Sequence, residues 1–229
     1  MQFLGKKMNL DKTTKLFRYF IGIPKSLYVN FRLLPFKEAI KLPIIVSTNT
    51  KLLSLKGKAK LSKIKTGIVR IGFTGAEMID YKTNPTMLRI DGEIEFKGKV
   101  KIARGNKIIV YGKLSLGNNF ITTGNNIIIC NKKIKIGSDT MFAWETIIMD
   151  NDQHNIYDKK KNIINQDAEI NIGDNVWIGA KSMVLKGCNI ADGTIIGANS
   201  TITNSYEIPN SIIAGNPTKV LKKNVSWQH

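Results

Sequence analysis

Aliphatic residues recur at every sixth position between residues 172 and 208. Steps of six from Ile172 meet only Ile and Val, at Ile178, Val184, Ile190, Ile196, Ile202 and Ile208. This period matches neither the 3.6-residue turn of an α-helix nor the two-residue alternation of an uninterrupted strand. It is typical of short strands joined by regular corners, in which three six-residue units form one triangular coil and aliphatic side chains of successive coils stack inside.

The same spacing appears upstream in two runs that are out of step with each other. The runs comprise Ile90, Phe96, Ile102, Ile108, Leu114 and Phe120, and then Ile136, Phe142 and Ile148. We therefore expect a register shift of two near residues 110–135. With residues 43–87 read as irregular early coils, the pattern predicts an all-β parallel β-helix of about eight coils. A sandwich or barrel of short strands is the alternative.

Residues 11–41 have a different pattern. Apolar residues at helical spacing are interrupted by Pro24 and end at Pro35, and Lys and Arg surround them. The apolar positions are Leu16, Phe17, Phe20, Ile23, Leu27, Phe31 and Leu34. We predict a helical cap, because the open end of a β-helix exposes unpaired strand edges. A basic amphipathic stretch that lies on an acidic membrane face is the alternative.

These patterns divide the chain into three parts. We expect residues 1–42 to form the N-terminal cap, residues 43–213 the β-helix, and residues 214–229 a C-terminal tail. Between Asn151 and Ala168 the sequence is polar and lacks the aliphatic column. A loop at about 150–168 is therefore expected to project from the β-helix.

The chain carries 35 Lys and Arg against 17 Asp and Glu, a formal net charge of +18. Such a charge attracts polyanions, anionic ligands and acidic membranes. The basic residues are spread along the sequence and match no nucleic-acid-binding motif, so we expect no nucleic-acid partner. An anionic ligand, a membrane surface and a lysine-rich composition without a specific partner all stay open.

The cysteines and the hydropathy of the sequence indicate the cellular compartment of the protein. Cys130 and Cys188 are the only cysteines and lack CxxC spacing, which argues against a disulfide framework or a zinc site. No apolar run approaches the roughly 20 residues that cross a bilayer, and charged residues interrupt the N-terminus where a secretory signal needs an apolar core. We expect a cytoplasmic protein, with the inner face of the membrane as the alternative location.

Three segments carry distinctive residues. Residues 144–157 read Trp-Glu-Thr-Ile-Ile-Met-Asp-Asn-Asp-Gln-His-Asn-Ile-Tyr, and residues 172–180 read Ile-Gly-Asp-Asn-Val-Trp-Ile-Gly-Ala. Residues 208–222 read Ile-Pro-Asn-Ser-Ile-Ile-Ala-Gly-Asn-Pro-Thr-Lys-Val-Leu-Lys. Through these three segments, residues 88–223 resemble the hexapeptide-repeat acetyltransferases. Within that family the resemblance is greatest to the O-acetyltransferases of capsule, exopolysaccharide and lipopolysaccharide assembly. Residues 30–43 are similar to the start of the same subgroup.

The resemblance implies a left-handed coil, acetyl-CoA as the acyl donor with no metal required, and a homotrimer whose active sites lie between subunits. The implied acceptor is a hydroxyl group of a polysaccharide or of its sugar precursor. The resemblance also implies donor contacts, which the C-terminal tail would complete, at Trp177, Gly179, Ala180, Gly197, Ala198, Lys219 and Lys222. The two lysines would lie near the CoA phosphates, whereas Asn204 stands where relatives often carry a basic residue.

His154 is the candidate general base. It and the terminal His229 are the only histidines, too few for the three-histidine zinc site of carbonic anhydrases that share this fold. A neutral imidazole can take the proton of a sugar hydroxyl as the oxygen attacks a thioester. Because Asp150, Asp152 and His154 alternate, an extended backbone would point them to one side. Asp152, with Asp150 ranked second, is then predicted to orient the imidazole or to bind the sugar.

Two further roles can be assigned. Trp144 offers an apolar face to a sugar ring, although a core position would suit it equally. The backbone N–H groups near Gly179 and Ala180 are candidates for stabilising an oxyanion, since small residues let a thioester approach closely.

Two other functions stay open. An N-acetyltransferase that acts on an amino nucleotide-sugar would use the same base and donor. A basic solenoid that only binds an anionic polymer or a membrane surface would not need His154, so replacing this residue separates the classes.

Overall fold

The computed structural model describes residues 21–73, 75–77 and 83–228. Two helices come first, α1 (Ile23–Leu33) and α2 (Phe36–Ala39). The strands β1 to β22 follow in chain order at Ile44–Val46, Lys51–Ser54, Lys58–Leu61, Val69–Ile71, Met87–Ile90, Glu93–Phe96, Val100–Ile102, Lys107–Val110, Lys113–Leu116, Phe120–Thr122, Ile127–Cys130, Lys133–Ile136, Met141–Phe142, Ile147–Met149, Ile170–Ile172, Trp177–Ile178, Met183–Leu185, Asn189–Ile190, Ile195–Ile196, Thr201–Ile202, Ser211–Gly215 and Thr218–Lys223.

Each strand from β1 to β17 pairs with the third strand after it, so the chain winds around three sheets. Sheet A has the order β1-β4-β7-β10-β13-β16-β19-β21-β22, sheet B the order β2-β5-β8-β11-β14-β17-β20, and sheet C the order β3-β6-β9-β12-β15-β18. Pairing is parallel throughout apart from the antiparallel pair β21–β22. This is the predicted all-β parallel β-helix, with corners that we name A–B, B–C and C–A after the sheets they join.

Stacked aliphatic side chains fill the interior. In sheet B, successive registers align the fully buried residues Leu88, Ile108, Ile128, Ile148, Val184 and Ile202. Burying one such side chain stabilises the fold by about 1.5–3 kcal/mol. The number of residues per coil explains the expected register shift. The stacked residues Ile108, Ile128 and Ile148 are 20 residues apart, whereas Val184 and Ile202 are 18 apart, as three six-residue units require.

Helix α1 closes the open end of the first coil. The buried Asn30 donates its Nδ2 to the carbonyl of Ile44 at 2.6 Å and accepts the Ile44 N–H at 3.1 Å. Ser26 Oγ accepts the Val46 N–H at 2.9 Å. These side chains satisfy the edge of β1, which confirms the predicted helical cap for the described residues; the predicted positions 16, 17 and 20 lie outside them.

No helix in the described part of the chain combines the length and apolarity needed to span a bilayer.

The C-terminal strands cover the other end of sheet A. Strand β21 adds to β19 in parallel, and β22 then reverses beside β21. The residues after β22 turn back over sheet A, where the Trp227 ring lies 5.9 Å from the ring of Trp177. The segment expected to be a tail from residue 214 thus contains the end of β21 and all of β22 before its last residues turn back.

Candidate active site

A long loop leaves the β-helix at the B–C corner of the fifth coil, between β14 and β15. It contains an isolated antiparallel bridge between Tyr157 and Ile163. Asp158 holds the tip, because its Oδ1 accepts the N–H of Lys160 at 2.8 Å and that of Asn162 at 2.9 Å. The loop therefore has internal structure and presents His154 on its first limb.

Asp150 anchors the start of this loop. Its carboxylate is fully buried and accepts the backbone N–H groups of Asn131, Lys132 and Lys133 at 2.7, 2.9 and 2.8 Å. The expectation that Asp150, Asp152 and His154 lie on one side is therefore not met. Asp150 points into the B–C corner of the preceding coil, where its oxygens are occupied by the backbone and closed to a substrate.

Asp152 belongs to a polar network that supports the loop. Its carboxylate accepts the Lys186 ammonium group and the side-chain amide of Asn165, the latter at 2.8 Å. The hydrogen bond from Lys186, followed by that from Asn165, holds the pKa of Asp152 below its ordinary value. Asn165 Nδ2 also donates to the main-chain oxygen of His154 at 2.8 Å. Asp152 thus positions the His154 backbone through Asn165 and does not bond to the imidazole.

Asn165 and Lys186 were missed by sequence reasoning. Lys186 Nζ donates to the Asn165 carbonyl at 2.9 Å, so the two residues tie the loop to the following coil. They are 21 residues apart in the chain, and neither lies in a motif or a periodic column. Only the winding of the coil brings them together.

The imidazole of His154 is exposed and forms no hydrogen bond or ion pair with any residue in the described ranges. It borders an open cleft of about 720 Å³ that runs along the B–C corner below the loop. The cleft is lined mainly by polar side chains, among them Asn131, Gln153, Gln166 and Asp167, together with the ring of Tyr111. The base is therefore free to meet an acceptor with several hydrogen-bonding groups.

Small residues form a column at the A–B corner. The Trp144 carbonyl accepts the Lys181 N–H at 3.0 Å, and the Ala180 carbonyl accepts the Asn199 N–H at 2.8 Å, so the corners of three coils stack. A Cβ atom on Gly179 would approach the Ala198 nitrogen to 2.6 Å. Only Gly allows this spacing between coils.

Of the two proposed oxyanion donors, one is already used. The Gly179 N–H donates to the Ile196 carbonyl at 2.8 Å. Ala180 is partly exposed, and its N–H has no acceptor among the described residues. The Ala180 N–H is therefore the better candidate of the pair.

The remaining predicted donor residues lie close to this column. Gly197 approaches Ala214, since a Cβ on Gly197 would lie 2.6 Å from the Ala214 Cβ. Lys219 pairs with Ala214 in the β21–β22 hairpin, and Lys222 pairs with Ile212. Both lysines are exposed. The structure thus gathers the predicted donor residues along the A–B corner and the adjoining part of sheet A, where Trp177 is 36% exposed.

Within one chain the two halves of the predicted site are separate. His154 stands at the B–C corner, the small-residue column stands at the A–B corner, and the whole width of sheet B lies between them.

Comparison with known proteins identifies the family. The family described as "Bacterial transferase hexapeptide (six repeats)" matches residues 169–204. Over 151 residues, which cover 65% of this chain and 68% of the relative, the sequence is 34% identical to a polysialic acid O-acetyltransferase of Neisseria meningitidis. The chain belongs to the hexapeptide-repeat acetyltransferase family.

Two other relatives of this chain are aligned over different shares of their own length. An uncharacterised 24.8 kDa protein from the cps region of Klebsiella pneumoniae is 31% identical over 206 residues, which cover 88% of each chain. A polysialic acid O-acetyltransferase of Escherichia coli O1:K1 is 35% identical over 142 residues, 61% of this chain but only 44% of the relative.

A solved structure shares the fold of this chain. The crystal structure of the polySia-specific acetyltransferase NeuO superposes with a TM-score of 0.52 at 19% identity, covering 81% of this chain and 84% of that one. At this identity the similarity concerns the fold alone. Together with the hexapeptide repeats, it confirms the predicted left-handed parallel β-helix.

The chain offers no accessible thiol nucleophile among its described residues. Cys130 and Cys188 are fully buried, and this burial raises the pKa of Cys130 to about 12 and that of Cys188 to about 11. Thiols with such pKa values stay protonated near neutral pH and are poor nucleophiles. Within the same described part of the chain, no three His, Cys, Asp or Glu side chains are grouped to hold a metal ion.

Proposed function

We propose that the protein transfers an acetyl group from acetyl-CoA directly to a hydroxyl group of a polysaccharide or of its sugar precursor, with His154 as the general base. The observation that carries this proposal is the state of His154. Asn165 holds its main chain, while its imidazole is exposed and unbonded among the described residues. A base must reach the proton that it removes, and this geometry supplies the reach.

The proposed reaction is a direct displacement. His154 takes the proton of the attacking sugar hydroxyl while the sugar oxygen bonds to the thioester carbonyl carbon. The negative charge that develops on the carbonyl oxygen is stabilised by the Ala180 N–H. Collapse breaks the carbon–sulfur bond, and the proton passes from the imidazolium to the departing thiolate. The products are an acetyl ester and CoA, and no covalent enzyme intermediate is needed.

The A–B corner supports the placement of the donor. Gly179, Ala180, Gly197 and Ala198 leave a narrow track without large side chains, which suits a slender pantetheine arm. At the end of this track the exposed Lys219 lies beside Ala214, and Lys222 follows on the same strand. Two ammonium groups there suit the phosphates of CoA.

Sheet B supports the assembly of a homotrimer. Its outer face carries two columns of partly exposed apolar side chains, namely Ile109, Ile127, Ile129, Ile147, Met149, Met183 and Leu185. Contiguous apolar surface of this kind marks an interaction site. Suppose that three copies are arranged around an axis parallel to the long axis of the β-helix, with sheet B of each copy facing inward. The B–C corner of each copy then meets the A–B corner of the next. His154 of one chain would then approach Ala180 of its neighbour.

The cleft beside His154 supports a sugar acceptor. Amide side chains such as Gln153, Asn155 and Gln166 can bond to hydroxyl groups, and Tyr111 offers an aromatic face to a sugar ring. Two relatives that are 35% and 34% identical to this chain over the aligned residues are polysialic acid O-acetyltransferases. We place the reaction in the cytoplasm, where two unpaired cysteines are expected.

Replacement of His154 by Ala tests the proposal. CoA release and acetylated product would be measured for acetyl-CoA with a panel of neutral sugars, acidic polysaccharides and amino nucleotide-sugars. Loss of the base is expected to lower turnover by about 10²–10⁴-fold. His229→Ala is the matched control, because it removes the other histidine. Undiminished turnover in His154→Ala would refute the mechanism, and a product acetylated on nitrogen would refute the assigned acceptor.

A further inference from the structure

A second cleft lies on the outer face of sheet A and shares no lining residue with the cleft beside His154. It forms because the C-terminal residues return across this sheet. Trp227 Nε1 donates to the Asn175 carbonyl at 2.7 Å, and the Trp227 ring lies against Trp177 with 42° between their planes. The Val225 N–H donates to the Asn210 carbonyl at 3.0 Å. These contacts hold an indole ring above the sheet as one end of a cleft of about 510 Å³.

The register of the coils gives this cleft an apolar floor and a polar wall. The outward side chains of Ile121 and Met141 lie on neighbouring strands and form the floor. Along the C–A corner, Asn119 and Asp139 line the wall on successive coils, where Asn119 Nδ2 donates to Asp139 Oδ1 at 2.9 Å.

Two lysines stand at the end of the cleft opposite Trp227. Lys99 and Lys101 both line it, one coil below Asn119 and Ile121. Neither forms an ion pair with another residue in the described part of the chain. Asp139 is the acid that lines the same cleft, so the local charge stays positive.

We propose that this sheet A cleft is a second binding site for an acidic glycan, with Trp227 as the stacking platform and Lys99 and Lys101 as the carboxylate partners. The choice of a glycan as ligand rests on the proposed function. An aromatic face packs against the C–H face of a sugar ring, amide groups bond to hydroxyls, and unpaired ammonium groups attract carboxylates. A floor of two apolar side chains alone would favour no such ligand.

The position of the cleft suits a polymeric acceptor. Sheet A is a different side of the prism from sheet B, so the cleft stays open in the proposed trimer. It is also separate from the loop that carries His154. A segment of the polymer bound here would keep the chain near the enzyme while another segment reaches the base, which raises the local concentration of acceptor.

Direct binding measurements test the inference without relying on catalysis. Affinity electrophoresis through gels that contain polysialic acid, polygalacturonate or neutral dextran would give the affinity of each variant. We expect Trp227→Ala and the double variant Lys99→Ala/Lys101→Ala each to lose about tenfold or more in affinity for the acidic polymers. The double variant alters only surface side chains, so it stays informative if Trp227→Ala disturbs the C-terminal segment.

Lys63→Ala/Lys65→Ala is the matched control. It removes the same charge with the same spacing from exposed positions outside the cleft. An equal loss in this control would mean that only the net charge of +18 matters, and would overturn the site. Unchanged binding in both cleft variants, no binding of either acidic polymer by the wild type, equal binding of dextran, or competition by free CoA would overturn it as well.

The two proposals fail in different ways. His154→Ala should keep its affinity for the acidic polymers, because His154 lies outside the sheet A cleft. If the cleft variants lose binding while His154→Ala keeps full turnover, the site stands and the proposed mechanism falls. If His154→Ala loses turnover while the cleft variants bind normally, the mechanism stands and the site falls.

Discussion

Asp150 offers the sharpest test of how the His154 loop is held. Its Oδ1 accepts the Asn131 N–H at 2.7 Å and its Oδ2 accepts those of Lys132 and Lys133 at 2.9 and 2.8 Å, while Asn151 Nδ2 donates to Oδ1 at 3.0 Å. The substitution Asp150→Asn replaces one oxygen with an NH2 group. In either orientation of the amide, two donors lose their acceptor.

The size of the effect follows from these bonds. A hydrogen bond to a charged group contributes about 1.5–3 kcal/mol to stability. Two lost bonds should therefore weaken the B–C corner by at least about 3 kcal/mol. Because 1.4 kcal/mol corresponds to a factor of ten, the free energy of local opening should fall enough to speed exchange by about a hundredfold.

Native-state hydrogen exchange at the amides of Asn131, Lys132 and Lys133 measures this directly. Asp158→Asn is the matched control, since Asp158 also accepts backbone N–H groups but at the solvent-exposed tip of the loop. There water replaces the lost acceptor. We therefore expect the free energy of local opening at the amides of Lys160 and Asn162 to change by less than about 1 kcal/mol. Unchanged exchange in Asp150→Asn, together with weaker binding of an acceptor, would show that Asp150 contacts the substrate and would refute our reasoning.

Three further predictions concern assembly, acid stability and thiol reactivity. Ile129→Glu places a charge on the outer face of sheet B, so light scattering should detect monomers and turnover should be lost. Ile45→Glu, on the outer face of sheet A, should leave the trimer and its turnover intact. A trimeric Ile129→Glu protein would contradict the proposed interface. Because Lys186 and Asn165 lower the pKa of Asp152, their contribution to folding is present above its ordinary value of 3.8 and is lost as the pH falls through the lowered pKa. Lys186→Met should move that loss upward toward 3.8, as carbon-13 NMR of the carboxyl group would show, and an unmoved titration would argue against the ion pair. With a pKa of about 12, the buried Cys130 should resist maleimide until the protein is unfolded, and rapid labelling of the native protein would contradict its burial.

The six-residue period predicted the interior of the β-helix except at its last member, because Ile208 is 39% exposed. Ile172, Ile178 and Val184 are all buried, as their column requires. The physical reason is local, since each short strand has one inward position and leaving an aliphatic side chain in water costs free energy. The period did not separate inward from outward positions where both are apolar. Strand β11 reads Ile-Ile-Ile-Cys and buries only its second and fourth side chains.

The candidate site could be predicted only in part. The distinctive segments located His154 and the small-residue column, because a polar loop and repeated glycines stand out against the aliphatic pattern. The position of Asp150 was not predictable, since its partners belong to the preceding coil and are backbone groups that any residue would supply. The partners of Asp152 depend in the same way on the following coil, from which Lys186 reaches the loop.

The sequence by itself determined that this chain coils into a β-helix. A period of six is a property of consecutive residues, and each aliphatic side chain in it gains free energy when it is buried. Only the tertiary structure decided which coils become neighbours across the long loop, where Ile136 pairs with Ile172. It also decided that the base and the small-residue column stand on opposite edges of sheet B. That separation arises from the order of corners around the prism, which no single segment of the chain encodes.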